Sequence, residues 1–63
     1  MSMLDRMKAE QAREQGRAAR RAGTPFALCP YRHARDAERR LLADEWRMGW
    51  REQDQSMRKA AAR

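Results

Sequence analysis

Thirteen of the fifteen basic side chains in this 63-residue chain are arginine. A guanidinium presents a planar fork of donors that matches two phosphate oxygens at once and can lie flat on a base, whereas an ammonium acts mainly as a point charge. Eight of these arginines, Arg13, Arg17, Arg20, Arg21, Arg32, Arg35, Arg39 and Arg40, fall between positions 13 and 40, opposed there only by Glu14, Asp36 and Glu38. Residues 41–57 reverse the balance, with Arg47 and Arg51 against Asp44, Glu45, Glu52 and Asp54. The chemistry open to this pattern is phosphate binding. Arg13, Arg17 and either Arg20 or Arg21 recur at helical spacing, so they could follow successive phosphates, with the steep salt dependence that counterion release imposes. A solvated helix face is the plainer use of the same spacing.

Other reactive groups are sparse. Cys29 and His33 stand four residues apart and are the sole cysteine and histidine. A zinc site takes three or four ligands, so no metal is expected; Cys29 should pack as a small apolar residue and His33 should lie on the basic surface. Gly16, Gly23 and Gly49 are scattered and form no phosphate-cradling loop. Two helices also offer few walls for a water-excluding pocket, so neither a catalytic residue nor a cofactor is expected. Tyr31, Trp46 and Trp50 could stack on unpaired bases. With so few other large apolar side chains, they are expected to form the core instead, Tyr31 keeping its hydroxyl exposed.

A formal net charge of +6 and a pI near 11 suit a polyanionic partner. The length allows one domain, residues 1–63, whose core runs from about 12 to 57. A lone cysteine cannot pair within the chain and points to a reducing compartment, hence the cytoplasm. No apolar run approaches the roughly 18 to 20 residues of a membrane span, and the first residues lack the apolar centre of a secretory signal.

The elements that must carry the arginines follow from propensity and spacing. Residues 3–22 read as a helix rich in alanine, arginine, glutamate and glutamine. Its stripe, Met3, Leu4, Met7, Ala12, Gly16, Ala19 and Gly23, turns to small residues after two turns, which lets a partner backbone come close. Gly16 weakens the helix by about 1 kcal/mol against alanine, so a packing reason is expected. Gly23 suits the left-handed residue that ends a helix. Thr24-Pro25 starts a semi-rigid connector, with Phe26, Leu28 and Tyr31 placed to close over the space between helices. A second helix is predicted from about Ala34 to Met57, with Asp36 as N-cap or first-turn acid. Leu42, Trp46, Gly49, Trp50, Gln53 and Met57 share one face, widened by Leu41. Residues 58–63 are expected to fray.

The expected fold is all-α: two helices joined by a packed, proline-containing connector, a helical hairpin. Its structural core would be Gly16, Gly23, Cys29, Pro30, Tyr31, Leu42, Trp46, Gly49 and Trp50. A hairpin would gather the end of helix one, the connector and the start of helix two at its closed end as one cationic surface.

Gly16, Gly23, then Cys29-Pro30-Tyr31 and later Trp46-Arg47-Met48-Gly49-Trp50-Arg51 form a pattern that resembles the ribosome modulation factor family of bacteria. The resemblance runs from about Ala12 to Glu52, with a longer interval between Tyr31 and Trp46 than in the ribosome-binding members. It implies two helices with a packed connector and a role in ribosome hibernation: binding small-subunit ribosomal RNA near its 3′ end, hindering messenger binding and favouring inactive ribosome dimers. On that reading the eight arginines grip RNA phosphates. Relatives reported as ciprofloxacin-modifying share similar motifs, so an ATP-dependent drug-modifying enzyme is an alternative. Another is a partner-binding regulator whose Met3, Leu4 and Met7 end forms a helix interface or homodimer.

Overall fold

The computed structural model describes residues 3–61, with side chains from Asp5 to Ala61. It contains a helix α1 (Met3–Arg21), a short 3-10 turn (Phe26–Leu28) and a longer helix α2 (Ala37–Ala61), with no strand among the described residues. The expected all-α pair of helices with a packed, proline-containing connector is what the structure shows. Helix α2 starts about a turn later than the predicted Ala34 and continues through Arg58–Ala61, which were expected to fray; Ala62 and Arg63 lie outside the described residues.

Each helix end has a local cause. The Gly23 N–H donates to the Arg20 carbonyl at 3.1 Å and the Thr24 N–H to the Ala19 carbonyl at 2.8 Å, the paired bonds of a Schellman ending. Gly23 takes φ +83° there, a region that side chains with a Cβ rarely adopt. Asp36 caps α2: its Oδ1 accepts the Arg39 backbone N–H at 2.8 Å, satisfying one of the donors that a helix start leaves free.

The contacts between helices keep the same order along both. Lys8 meets Glu38 at 3.0 Å, Gly16 lies against the backbone of Trp46 and Trp50, and Arg20 meets Asp54 at 2.9 Å. Partner numbers rise together, so α1 and α2 pass each other running in the same direction. A connection of two to five residues would have turned the second helix back. Residues 22–36 instead return alongside the pair. They must cover the roughly 24 Å of α2 between the levels of Glu38 and Asp54, well within the reach of an extended segment of that length. The expected gathering of basic segments at a closed end therefore does not occur. The end of α1 lies beside residues 53 and 54 of α2, while the start of α2 lies beside Lys8.

The core sits where the helices cross. Trp46 is 2% exposed, Cys29 1%, Ala12 1% and Ala43 3%, with Gly16 and Gly49 also buried. Ala19, Phe26, Tyr31 and Trp50 pack around this centre. The Trp50 Nε1–H donates to the Thr24 carbonyl at 2.8 Å, pinning the connector just past the end of α1. Phe26 meets Trp50 edge to face at 5.4 Å between centroids. Leu28 does not close over the helices; it is 52% exposed, and the neighbouring Cys29 fills the gap. Leu42 is half-buried, while Pro30 and Gly23 lie at the surface.

Candidate nucleic-acid interface

The structure divides the eight arginines into two groups, one on α1 and the other on the connector and the first turn of α2. The first lies on α1 and faces the acidic second half of α2. Arg13 and Arg17 both bond Glu52, Arg17 at 2.8 Å, and Arg13 also lies 3.9 Å from Glu45. Arg20 bonds Asp54 at 2.9 Å while its guanidinium stands 5.4 Å from the centre of the Trp50 ring. Arg21 bonds Glu14 at 2.9 Å and donates to Gln53 Oε1 at 3.2 Å. The helical spacing of these arginines, read in the sequence as a track for phosphates, instead turns Arg13, Arg17 and Arg20 toward Glu52 and Asp54 of the neighbouring helix.

These pairs shift titration in the direction their geometry requires. Hydrogen bonds from Arg17 and Arg13 hold the Glu52 carboxyl below the usual glutamate range. Arg21 and Arg17 do the same to Glu14. The hydrogen bond to Glu38 raises the Lys8 ammonium above its ordinary value.

The second group belongs to the connector and the first turn of α2. Arg32 is tied back, its Nη1 donating to the Cys29 carbonyl at 3.1 Å. Arg39 has Asp36 at 3.8 Å within its own turn, and both side chains are exposed. Arg35 and Arg40 are exposed and make no ion pair with another described residue. His33 is exposed beside them.

Part of this second group shares a cleft. Arg40, Asp44 and Arg47, at steps of four and three along α2, line an open space of about 340 Å³ with Tyr31, Arg32 and Ala34 of the connector and the buried Ala43. The Tyr31 ring is half-buried and its hydroxyl donates to Gln15 Oε1 at 3.1 Å, which fixes the wall. Asp44 and Arg47 were not singled out in the sequence, although their spacing from Arg40 already put them on one helix face. Arg51, also passed over, stands 5.0 Å from the centre of the Phe26 ring.

A separate cleft of about 310 Å³ opens between the starts of the two helices, lined by Asp5, Lys8, Ala37, Glu38, Leu41 and Leu42. Met7 is 54% exposed. The side chains of Met3 and Leu4, expected to form an association surface with Met7, lie outside the described ones. Among the described residues no helix is long and apolar enough to cross a membrane.

A family model described as ribosome modulation factor matches residues 1–62. No curated protein and no solved structure matches the chain.

Proposed function

The chain belongs to the ribosome modulation factor family, and from that premise we propose that it is a cytoplasmic ribosome-hibernation protein that binds small-subunit ribosomal RNA and favours inactive ribosome dimers. The observation that supports the RNA contact is the run Arg32, Arg35, Arg39 and Arg40: four arginines within nine residues, exposed, with no carboxylate of the opposite helix against them. Arg35 and Arg40 make no ion pair with another described residue, and Arg39 and Arg32 are held only by Asp36 of the same turn and by the Cys29 carbonyl. The run can thus neutralise phosphates without giving up a partner on the opposite helix. Arg13, Arg17, Arg20 and Arg21 belong to the same proposed surface in a secondary role. Of their ion pairs only Arg21–Glu14 is exposed on both sides. Such pairs contribute little, so a phosphate can displace that carboxylate at small cost, whereas Arg20 is held by the largely buried Asp54.

Sucrose-gradient co-sedimentation of the purified protein with ribosomes, at low and moderate salt, tests this reading. Comigration with small subunits, weakening as salt rises, together with a shift toward ribosome dimers, is the expected result. Protein remaining at the top of every gradient would overturn it.

A second reading is a homodimer formed through the Met7 end. It is favoured by the exposure of Met7 and of Leu41, 37% exposed, the latter lining the cleft between the helix starts. Sedimentation equilibrium should then show a concentration-dependent mass that Met7→Ser and Leu41→Ser abolish. A monomer at all concentrations would remove this reading.

A further inference from the structure

Two features of the surface complement each other but lie too far apart to meet within one chain. The first is the 3-10 turn of the connector, closed by the Leu28 N–H donating to the Pro25 carbonyl at 3.0 Å. Residues three apart eclipse one another in such a turn. Phe26 and Cys29 accordingly share the inner side, against Trp50 and in the core. Pro25 and Leu28 share the outer side, and both are exposed. Arg51 stands 5.0 Å from the centre of the Phe26 ring, exposed and without an ion pair to another described residue. No acidic residue lies between Gln15 and Arg35 in the sequence, so the segment offers no carboxylate of its own. The result is a fixed aliphatic knob with a cation beside it.

The second feature is the cleft of about 310 Å³ between the helix starts. Ala37, Leu41 and Leu42 give it an aliphatic wall, and Asp5, Lys8 and Glu38 line it as well, two carboxylates to one ammonium. An RNA strand has no use for an aliphatic knob or for a cleft of negative balance. The cleft suits an apolar segment accompanied by a cation, and this chain carries one.

We propose that the knob of one copy of this chain enters the cleft of a second copy. Leu28, with Pro25 behind it, lies against Leu41 and Leu42, and Arg51 faces the carboxylates of Asp5 and Glu38. Glu38 and Arg51 are separated by about 20 Å of α2, so a rigid helix keeps each knob out of its own cleft. Two different patches meet, which makes the contact heterologous: copies add head to tail, each end keeping one feature unfilled. In the Met7-end homodimer, by contrast, one patch meets itself. A net charge of +6 opposes the approach of like molecules, and one turn against one cleft is at the small end of interfaces. The association is therefore weak, and it strengthens where salt screens the long-range repulsion.

Sedimentation equilibrium of the purified full chain at moderate salt tests it without ribosomes. The mass of the unaltered protein should rise with concentration and pass that of a dimer. Leu28→Ser, which lacks the knob, and Leu41→Ser, which lacks the cleft wall, should each stay monomeric with helicity by circular dichroism unchanged. Mixing the two variants should restore a complex that stops at the dimer, because one supplies the cleft and the other the knob. Arg51→Glu should weaken association of the unaltered type at least about tenfold, and Met7→Ser should leave it as it was. A monomer at all concentrations, undiminished association in Leu28→Ser or Arg51→Glu, or no complex on mixing would overturn the proposal. Association that survives Leu28→Ser and is lost in Met7→Ser would sink the knob and leave the Met7-end homodimer standing.

Discussion

Gly16 and Gly49 each leave room for the other helix's backbone. A Cβ on Gly16 would stand 2.8 Å from the Trp46 carbonyl carbon, and a Cβ on Gly49 would stand 2.8 Å from that of Arg13. The contact is reciprocal, backbone on backbone, and it sets how closely α1 and α2 cross.

Gly16→Ala and Gly49→Ala should therefore each destabilise the protein. Alanine raises helix propensity by about 1 kcal/mol, but the added carbon has no flexible neighbour to push aside. Separating the helices should cost more than that gain, by the 1 to 3 kcal/mol typical of overpacking or beyond. Urea melts followed by circular dichroism read the difference. A stabilised alanine variant at either position would refute the close crossing.

Gly23 is a different case. A Cβ there meets nothing within 4 Å, and the constraint is the φ of +83° alone. Gly23→Ala should cost about 1 kcal/mol and Gly23→Asn less, because asparagine tolerates the left-handed region better. Equal loss in the two variants would point to a steric cause instead.

Trp46 and Trp50 should separate in the same assay. Trp46 is almost wholly buried, so Trp46→Ala should lose about 3 to 5 kcal/mol, enough to unfold so small a domain. Trp50→Phe keeps an aromatic ring against Phe26 but removes the donor to the Thr24 carbonyl, and should lose about 1 kcal/mol or somewhat more. Amide exchange at the Gly23–Thr24 turn should quicken in Trp50→Phe if that bond anchors the connector.

Acid should weaken the helix pairing in a defined window. The folded Glu52 carboxyl titrates below the ordinary glutamate value, near 4.3, because Arg17 and Arg13 bond its charged form, and Glu14 shares the same sign. The unfolded chain thus takes up protons first as the pH drops. The contribution is fully present above the ordinary value and is lost as the pH falls through the folded one. Melting temperature should decline from about pH 5 toward pH 3, and Glu52→Gln should flatten part of that decline. Lys8 carries the opposite sign: raised by Glu38, its contribution holds below the ordinary lysine value and goes as the pH rises through the folded one.

The two groups of arginines should part company under substitution. Arg20→Gln breaks the pair with Asp54, whose side chain is only 14% exposed, and the contact with Trp50, so it should lower the melting temperature. Arg35→Gln with Arg40→Gln should leave melting unchanged and reduce ribosome association with a shallower salt dependence. The reverse assignment, stability lost in the second pair and not in the first, would contradict the division.

Several features of this protein were determined by the sequence alone because they depend on neighbours within a few residues. Helix ends follow from Gly23 and from Asp36, which act through backbone bonds one turn away. The α2 face of Trp46, Gly49 and Trp50 follows from helical periodicity, and the small-residue stripe with Gly16 on α1 already implied a close crossing. The direction in which the helices pass and the partners of the arginines were decided only by tertiary structure. A connector as long as residues 22–36 permits either direction, and periodicity cannot say which surface an arginine will face. The return of the chain alongside α1 sets Arg13, Arg17 and Arg20 against Glu52 and Asp54 and leaves Arg35 and Arg40 to solvent. A charge has the same formal value in the sequence wherever it lies, but its availability to a phosphate depends on what the fold has placed within hydrogen-bonding reach.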